Sequence, residues 1–166
     1  MGINRAVWIL LLGFVAVVIA QGASSQETST AEERMRWVEI THKLESSPLD
    51  DSVNKQGEAA LKRLSDVHDI RVPLCPALLN EFNGMKYTYS HPITRQFMLA
   101  SGAFLIENPG KAGDKNAMNA AAVESVLKTY PAILQQKPDA KAKALDDLLK
   151  KHSLGRLKDF VQKQCP

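Results

Sequence analysis

Residues 90–110 read SHPITRQFMLASGAFLIENPG, and the ten residues from Phe97 to Ile106 carry no charge and nothing more polar than Ser101. Ser90 belongs to the class of residues that cap helix N-termini, the Pro92 ring suits a first helical turn, and Asn108-Pro109-Gly110 is a stop signal. The stretch therefore predicts one helix over 92–107. Phe97, Met98, Leu99, Phe104, Leu105 and Ile106 point all the way round such a helix, so other elements must wrap it. It falls short of the ~20 apolar residues that span a bilayer. Gly102 in a helix interior costs about 1 kcal/mol relative to Ala, so the small run Ala100-Ser101-Gly102-Ala103 predicts a close helix approach that offsets the loss.

On either side of this helix the chain patterns as more helix. Ser29 with Glu32, or Thr30 with Glu33, forms a capping-box pattern. Met35, Trp37, Val38, Ile40, Thr41 and Leu44 then give a broad apolar face to about residue 45. After SSPLDD, Asp50 or Asp51 caps a second helix with Val53, Gly57, Ala60, Leu61, Leu64 and Val67 at helical spacing. These two helices are expected to form an antiparallel hairpin. Pro73 and Pro76 bracket Cys75 and force an extended linker over 68–76. A short helix from Pro76 to Phe82 is expected next, stopped by Asn83-Gly84. The alternation of Met85, Tyr87 and Tyr89 predicts a second extended piece leading into the central helix.

Beyond Gly110, Asp114 caps a long helix in which Pro131 predicts a kink or break near Thr129. Pro138-Asp139 is read as the start of the next helix, and Gly155 separates it from a last amphipathic turn or two carrying Leu157, Phe160 and Val161. The edges around Leu44 to Pro48 and Tyr130 to Pro138 resemble those of tetratricopeptide-type hairpins. The tryptophan, glycine and alanine positions of that repeat are not filled, and the middle of the chain fits no period of about 34 residues. The expected fold is therefore all-α, a small bundle of about six or seven helices around the helix at 92–107.

Arg5 precedes an uncharged apolar run, Ala6 to Ala20, followed by the small and polar residues QGASSQ. This pattern is that of a secretory signal peptide over residues 1–20, cleaved after Ala20, with Ala23 the next choice. The rival, an uncleaved anchor, would need about 17 to 25 apolar residues. Removal of the signal leaves a polar leader at 21–28, expected to be disordered, and a single domain over 29–166 with no transmembrane segment. The protein is thus expected to be exported, to a periplasm or the extracellular space. The lack of any N-x-S/T sequon tilts this toward a bacterial periplasm. In an oxidising compartment an even pair of cysteines bridges, so Cys75 and Cys165 are predicted to form a disulfide, contributing about 4 to 5 kcal/mol in the chain-entropy model.

The net charge is only +3, without the basic footprint of a nucleic-acid binder. Its distribution is uneven, with ten acids against six bases from Gln21 to Asp69, and eight bases against four acids from Lys137 to Lys163. The basic C-terminal face suits an acidic partner or an anionic headgroup, or is a solvated helix face.

Candidate sites follow from residue chemistry. Trp37, Tyr87, Tyr89 and His91 are candidate ligand-binding residues, because aromatics on an ordered approach to the core can line a groove. The alternative is that the two tyrosines cap the core with their hydroxyls wet. Glu39 and His42 stand at i and i+3, the spacing that di-iron bundle proteins use on two helices, though only one such pair exists here. Glu124 lies among small and apolar residues, and a buried carboxylate needs a base; Arg95 is the candidate partner. No G-x-S-x-G or S-x-x-K pattern supplies a nucleophile, and export commits Cys75 to the disulfide. The reading that results is a non-enzymatic binding or interaction module with no cofactor, taking a protein or a small apolar ligand. The alternatives are a metal-binding or enzymatic helical bundle, and a structural envelope protein.

Overall fold

A computed structural model describes residues 27–166; the expected signal peptide and most of the expected leader fall outside the described residues. The fold is all-α, with seven α-helices among the described residues: α1 (Ala31–Ser46), α2 (Asp51–Asp66), α3 (Pro76–Gly84), α4 (Ser90–Glu107), α5 (Lys115–Gln136), α6 (Lys143–Ser153) and α7 (Leu157–Gln164). A single 3-10 turn, Pro109–Lys111, follows α4. Among the described residues no helix is long and apolar enough to cross a membrane.

The helix ends follow local chemistry. Of the two possible capping boxes, Thr30 with Glu33 is the one formed, each side chain satisfying the other's backbone N–H. Asp50 caps α2 through Val53 N–H, and Asp114 caps α5 through Ala117 N–H. Pro76 opens α3, where its missing donor is one of the unsatisfied groups in any case. Gly155, at φ 67°, makes the left-handed turn between α6 and α7.

Four local expectations differ from the structure. Ser90 is the first helical residue of α4, not its cap, and the cap position is Tyr89, which makes no side-chain cap hydrogen bond. Residues 85–89 turn instead of running extended, because Tyr87 N–H bonds back to Met85 C=O and Ser90 N–H to Tyr87 C=O. Of the kink or break expected near Thr129, the break does not occur, and Pro131 sits inside a continuous α5. The packing of Tyr130, Ala132 and Ile133 into the core holds both sides of the proline in one helix, offsetting the lost backbone bond. Finally, α6 starts at Lys143 and not at Pro138, since residues 138–142 are held off the helix by Ala142 N–H donating to the Tyr130 hydroxyl at 2.9 Å.

The core has two clusters that meet at α4. The larger gathers Leu78 and Phe82 of α3, Ile93, Phe97 and Ala100 of α4, Ala122 to Ile133 of α5, Leu145 and Leu148 of α6, and Leu157 and Val161 of α7. The smaller joins Trp37, Ile40 and Leu44 of α1 to Ala60 and Leu64 of α2, with Leu99 of α4 between them. The expected wrapping of α4 holds through its middle, where α5 and α1 cover most of it, while Met98, Phe104, Leu105 and Ile106 are half-buried. Gly102 packs tightly against α2, for a β-carbon there would meet Leu64 Cδ2 at 2.8 Å. The disulfide Cys75–Cys165, spanning 90 residues, ties the end of α7 to the linker before α3.

Candidate functional site

A groove with a volume of about 530 Å³ is lined by α1 and α2. Its α1 wall is a single helical stripe, Glu33, Arg36, Trp37, Glu39, Ile40 and Lys43, and its α2 wall is Gln56, Ala59 and Ala60. Two adjacent alanines leave α2 without side-chain bulk at the place where Trp37 and Ile40 form the floor. Trp37 is 5% exposed, so it is anchored in the smaller core cluster while still lining the groove.

The rim is charged but largely self-neutralised. Glu33 accepts from Arg63 Nε at 2.9 Å, and this hydrogen bond together with that to Thr30 N–H holds its carboxyl below the usual range. Glu39 accepts from Lys43 at 2.6 Å, which lowers its carboxyl likewise. Arg36 has no ion-pair partner among the described residues. The groove thus presents an apolar floor, two satisfied carboxylates and one uncommitted guanidinium.

The structure separates the four aromatic candidates. Only Trp37 lines this groove. Tyr87 and Tyr89 pack against the larger cluster, their rings 5.6 Å apart and edge-on, with Tyr130 a further 6.3 Å from Tyr87. The Tyr87 hydroxyl is buried without a hydrogen-bond partner, and burial pushes its phenol far above the ordinary value. His91 is exposed on α4, its Nδ1 3.7 Å from Glu58.

The metal candidates also point apart. Glu39 is engaged by Lys43, whereas His42 lies between Glu45 at 3.5 Å and Glu107 at 3.2 Å. Among the described residues no group of three or more His, Cys, Asp or Glu is arranged to hold a metal ion.

The expected pairing of Arg95 with Glu124 is corrected. Arg95, 4% exposed, donates to Glu58 at 2.7 Å and to Asn54 Oδ1, both on α2. Glu124 lines a different groove with Lys111 and Lys158. One residue along α4 turns a side chain by about 100°, so it is Gln96, not Arg95, that faces α5. Its amide donates to Thr41 C=O at 3.0 Å and to Ser125 Oγ at 2.7 Å, and the Ser125 hydroxyl donates in turn to Glu45 Oε1 at 2.7 Å. The sequence signal for this knot was Gln96 itself, a full amide set immediately before an uncharged run.

No family model matches the chain, and no curated protein or solved structure matches it. The chemistry of the groove is therefore the basis for a functional reading.

Proposed function

We propose that this chain is an exported, non-enzymatic binding module that takes a short amphipathic segment of a protein in the α1–α2 groove. The observation that carries this reading is the groove itself, of about 530 Å³ over Trp37 and Ile40. That volume lies within the roughly 300 to 1,000 Å³ usual for ligand sites. A second, more apolar groove, lined by Leu61, Leu64, Val67, Ile70, Val72, Leu74 and Met98, has a volume of only about 240 Å³. Ala59 and Ala60 allow a partner backbone close to α2, the floor accepts an apolar side chain, and Arg36 suits a carboxylate beside it. The Cys75–Cys165 bridge supports an oxidising destination.

Trp37 is the sole tryptophan of residues 27–166, so its fluorescence reports on the groove directly. Titration with synthetic amphipathic peptides bearing Leu or Phe beside an acid is expected to shift its emission saturably. Ala59 is exposed, so Ala59→Phe fills the groove without disturbing the core. It should weaken binding at least about tenfold while leaving the melting temperature unchanged. If no such peptide moves the emission, or the filled variant binds as well as the parent, the reading is wrong.

A further inference from the structure

We propose that the concave face between α6 and α7 is a second docking surface, which takes an acidic segment of a partner protein with an apolar side chain set between its carboxylates. This groove, about 430 Å³, has Leu154 and Phe160 as its apolar part and Lys150, Lys151, Arg156 and Lys163 around it. Leu154 is 54% exposed, and among the described residues it and Met35 are the large hydrophobic side chains left in solvent. Lys151 already lies over the Phe160 ring, its Nζ 5.0 Å from the centroid, so the cation and the apolar floor form one surface.

The charge here is only partly complemented inside the molecule, four cations facing two acids, with Lys150 and Lys151 helping to lower the Asp147 carboxyl. Of the two acids lining the groove, Asp147 and Asp159, Asp147 is engaged by Lys143 at 2.7 Å. Among the described residues no ion pair engages Lys150, Lys151, Arg156 or Lys163, whereas Lys43, Lys62, Lys128 and Lys143 each hold a carboxylate. Lys150, Lys151 and Lys163 sit in last helical turns, where a cation favours the helix dipole. Arg156 does not: it occupies the N-cap of α7, the end at which a cation works against the dipole. Four cations over an apolar floor are complemented by carboxylates flanking an apolar side chain. Because the surface is concave, it fits a protruding peptide side chain better than a flat bilayer.

The test is fluorescence anisotropy of a labelled hexapeptide, Glu-Asp-Leu-Phe-Asp-Glu, against the same peptide with every acid replaced by Lys. The acidic peptide is expected to bind, with affinity falling as salt rises, and the lysine peptide not to bind. The double variant Lys150→Glu, Lys151→Glu should weaken binding at least about tenfold, and Leu154→Ser by about three- to tenfold. Arg156→Gln, a milder change at the exposed turn, should weaken it by about three- to tenfold and guards against loss of fold in the double variant. All of these titrations are run in the Ala59→Phe background, which blocks the groove over Trp37, so that the binding read belongs to the α6–α7 face and the two sites succeed or fail separately. Absence of binding by the acidic peptide, equal binding of the lysine peptide, or affinity indifferent to these α6–α7 variants would overturn the proposal. So would binding to phosphatidylglycerol vesicles with none to the peptide, which would identify a membrane-surface patch instead.

Discussion

Gly57 and Gly102 look alike in sequence, each a glycine in a helical pattern, yet the structure gives them different consequences. A β-carbon at Gly57 would meet Leu44 Cδ1 at 2.8 Å and Arg95 Nε at 3.3 Å. Leu44 is 1% exposed and Arg95 is held by Glu58 and Asn54, so neither can retreat. Gly57→Ala is expected to destabilise by about 1 to 2 kcal/mol, the overpacking cost outweighing the gain in helix propensity. At Gly102 the obstacle is Leu64, which borders the small apolar groove and can swing into it. There the roughly 1 kcal/mol propensity gain offsets the displacement, and Gly102→Ala should lie within about 1 kcal/mol of the parent in chemical denaturation. Equal effects at the two sites would mean that local crowding is not what sets them. The small-residue run made the approach at Gly102 legible in the sequence. The Arg95 partner was not, because periodicity gives the spacing of a side chain on its own helix but not which neighbour occupies that direction. With α2 against that side of α4, Glu58 reaches Arg95 and Glu124 does not.

Beside the Glu33–Arg63 pair, the start of α1 is fastened to the segment after α2 by the carboxylate of Asp69. Asp69 accepts from Ser29 N–H at 3.0 Å, from Ser29 Oγ at 2.7 Å and from Arg34 at 2.7 Å. Desolvation pushes its carboxyl upward, but the hydrogen bonds from Ser29 and Arg34 prevail and hold it at about 2. Since the folded value lies below the unfolded one, the stabilisation is complete above about pH 4 and is lost as the pH falls toward about 2. Asp69→Asn should therefore cost about 1 kcal/mol at pH 7, given that the site is partly solvated, and the difference from the parent should vanish near pH 2. A pH-independent difference between the two in urea titrations would show that the carboxylate charge is not the fastening element. The caps at Thr30, Asp50 and Asp114 and the left-handed Gly155 were readable, because each rests on residues within one turn. Whether Pro131 breaks its helix and where α6 begins were not readable, for the opposite reason: the burial of Tyr130 and Ile133, and the reach of the Tyr130 hydroxyl to Ala142, are tertiary facts.

Across the whole molecule, α4 separates a large cluster built by α3 and α5 to α7 from a smaller one built by α1 and α2. The bundle class and its central helix were legible because an apolar run without a polar face has nowhere to go but inside. The grooves were not, since they arise where two helices leave a space between their side chains, a property of neither alone. The disulfide belongs to the larger cluster, where Cys75 is 5% exposed. Cys165→Ser should lower the unfolding free energy by about 2 to 5 kcal/mol. In hydrogen exchange, α7 amides should lose protection at denaturant concentrations where those of α2 are still protected. Simultaneous loss in both helices would mean that the bridge stabilises the two clusters as one unit. The same bridge also constrains how the protein can go wrong. With two cysteines in the sequence there is one intramolecular pairing, so oxidation within a molecule has no scrambled isomer to escape from. Its competing product is a bond between two molecules, a second-order event, and the yield of correctly oxidised protein should depend on how dilute the chains are when they meet the oxidant.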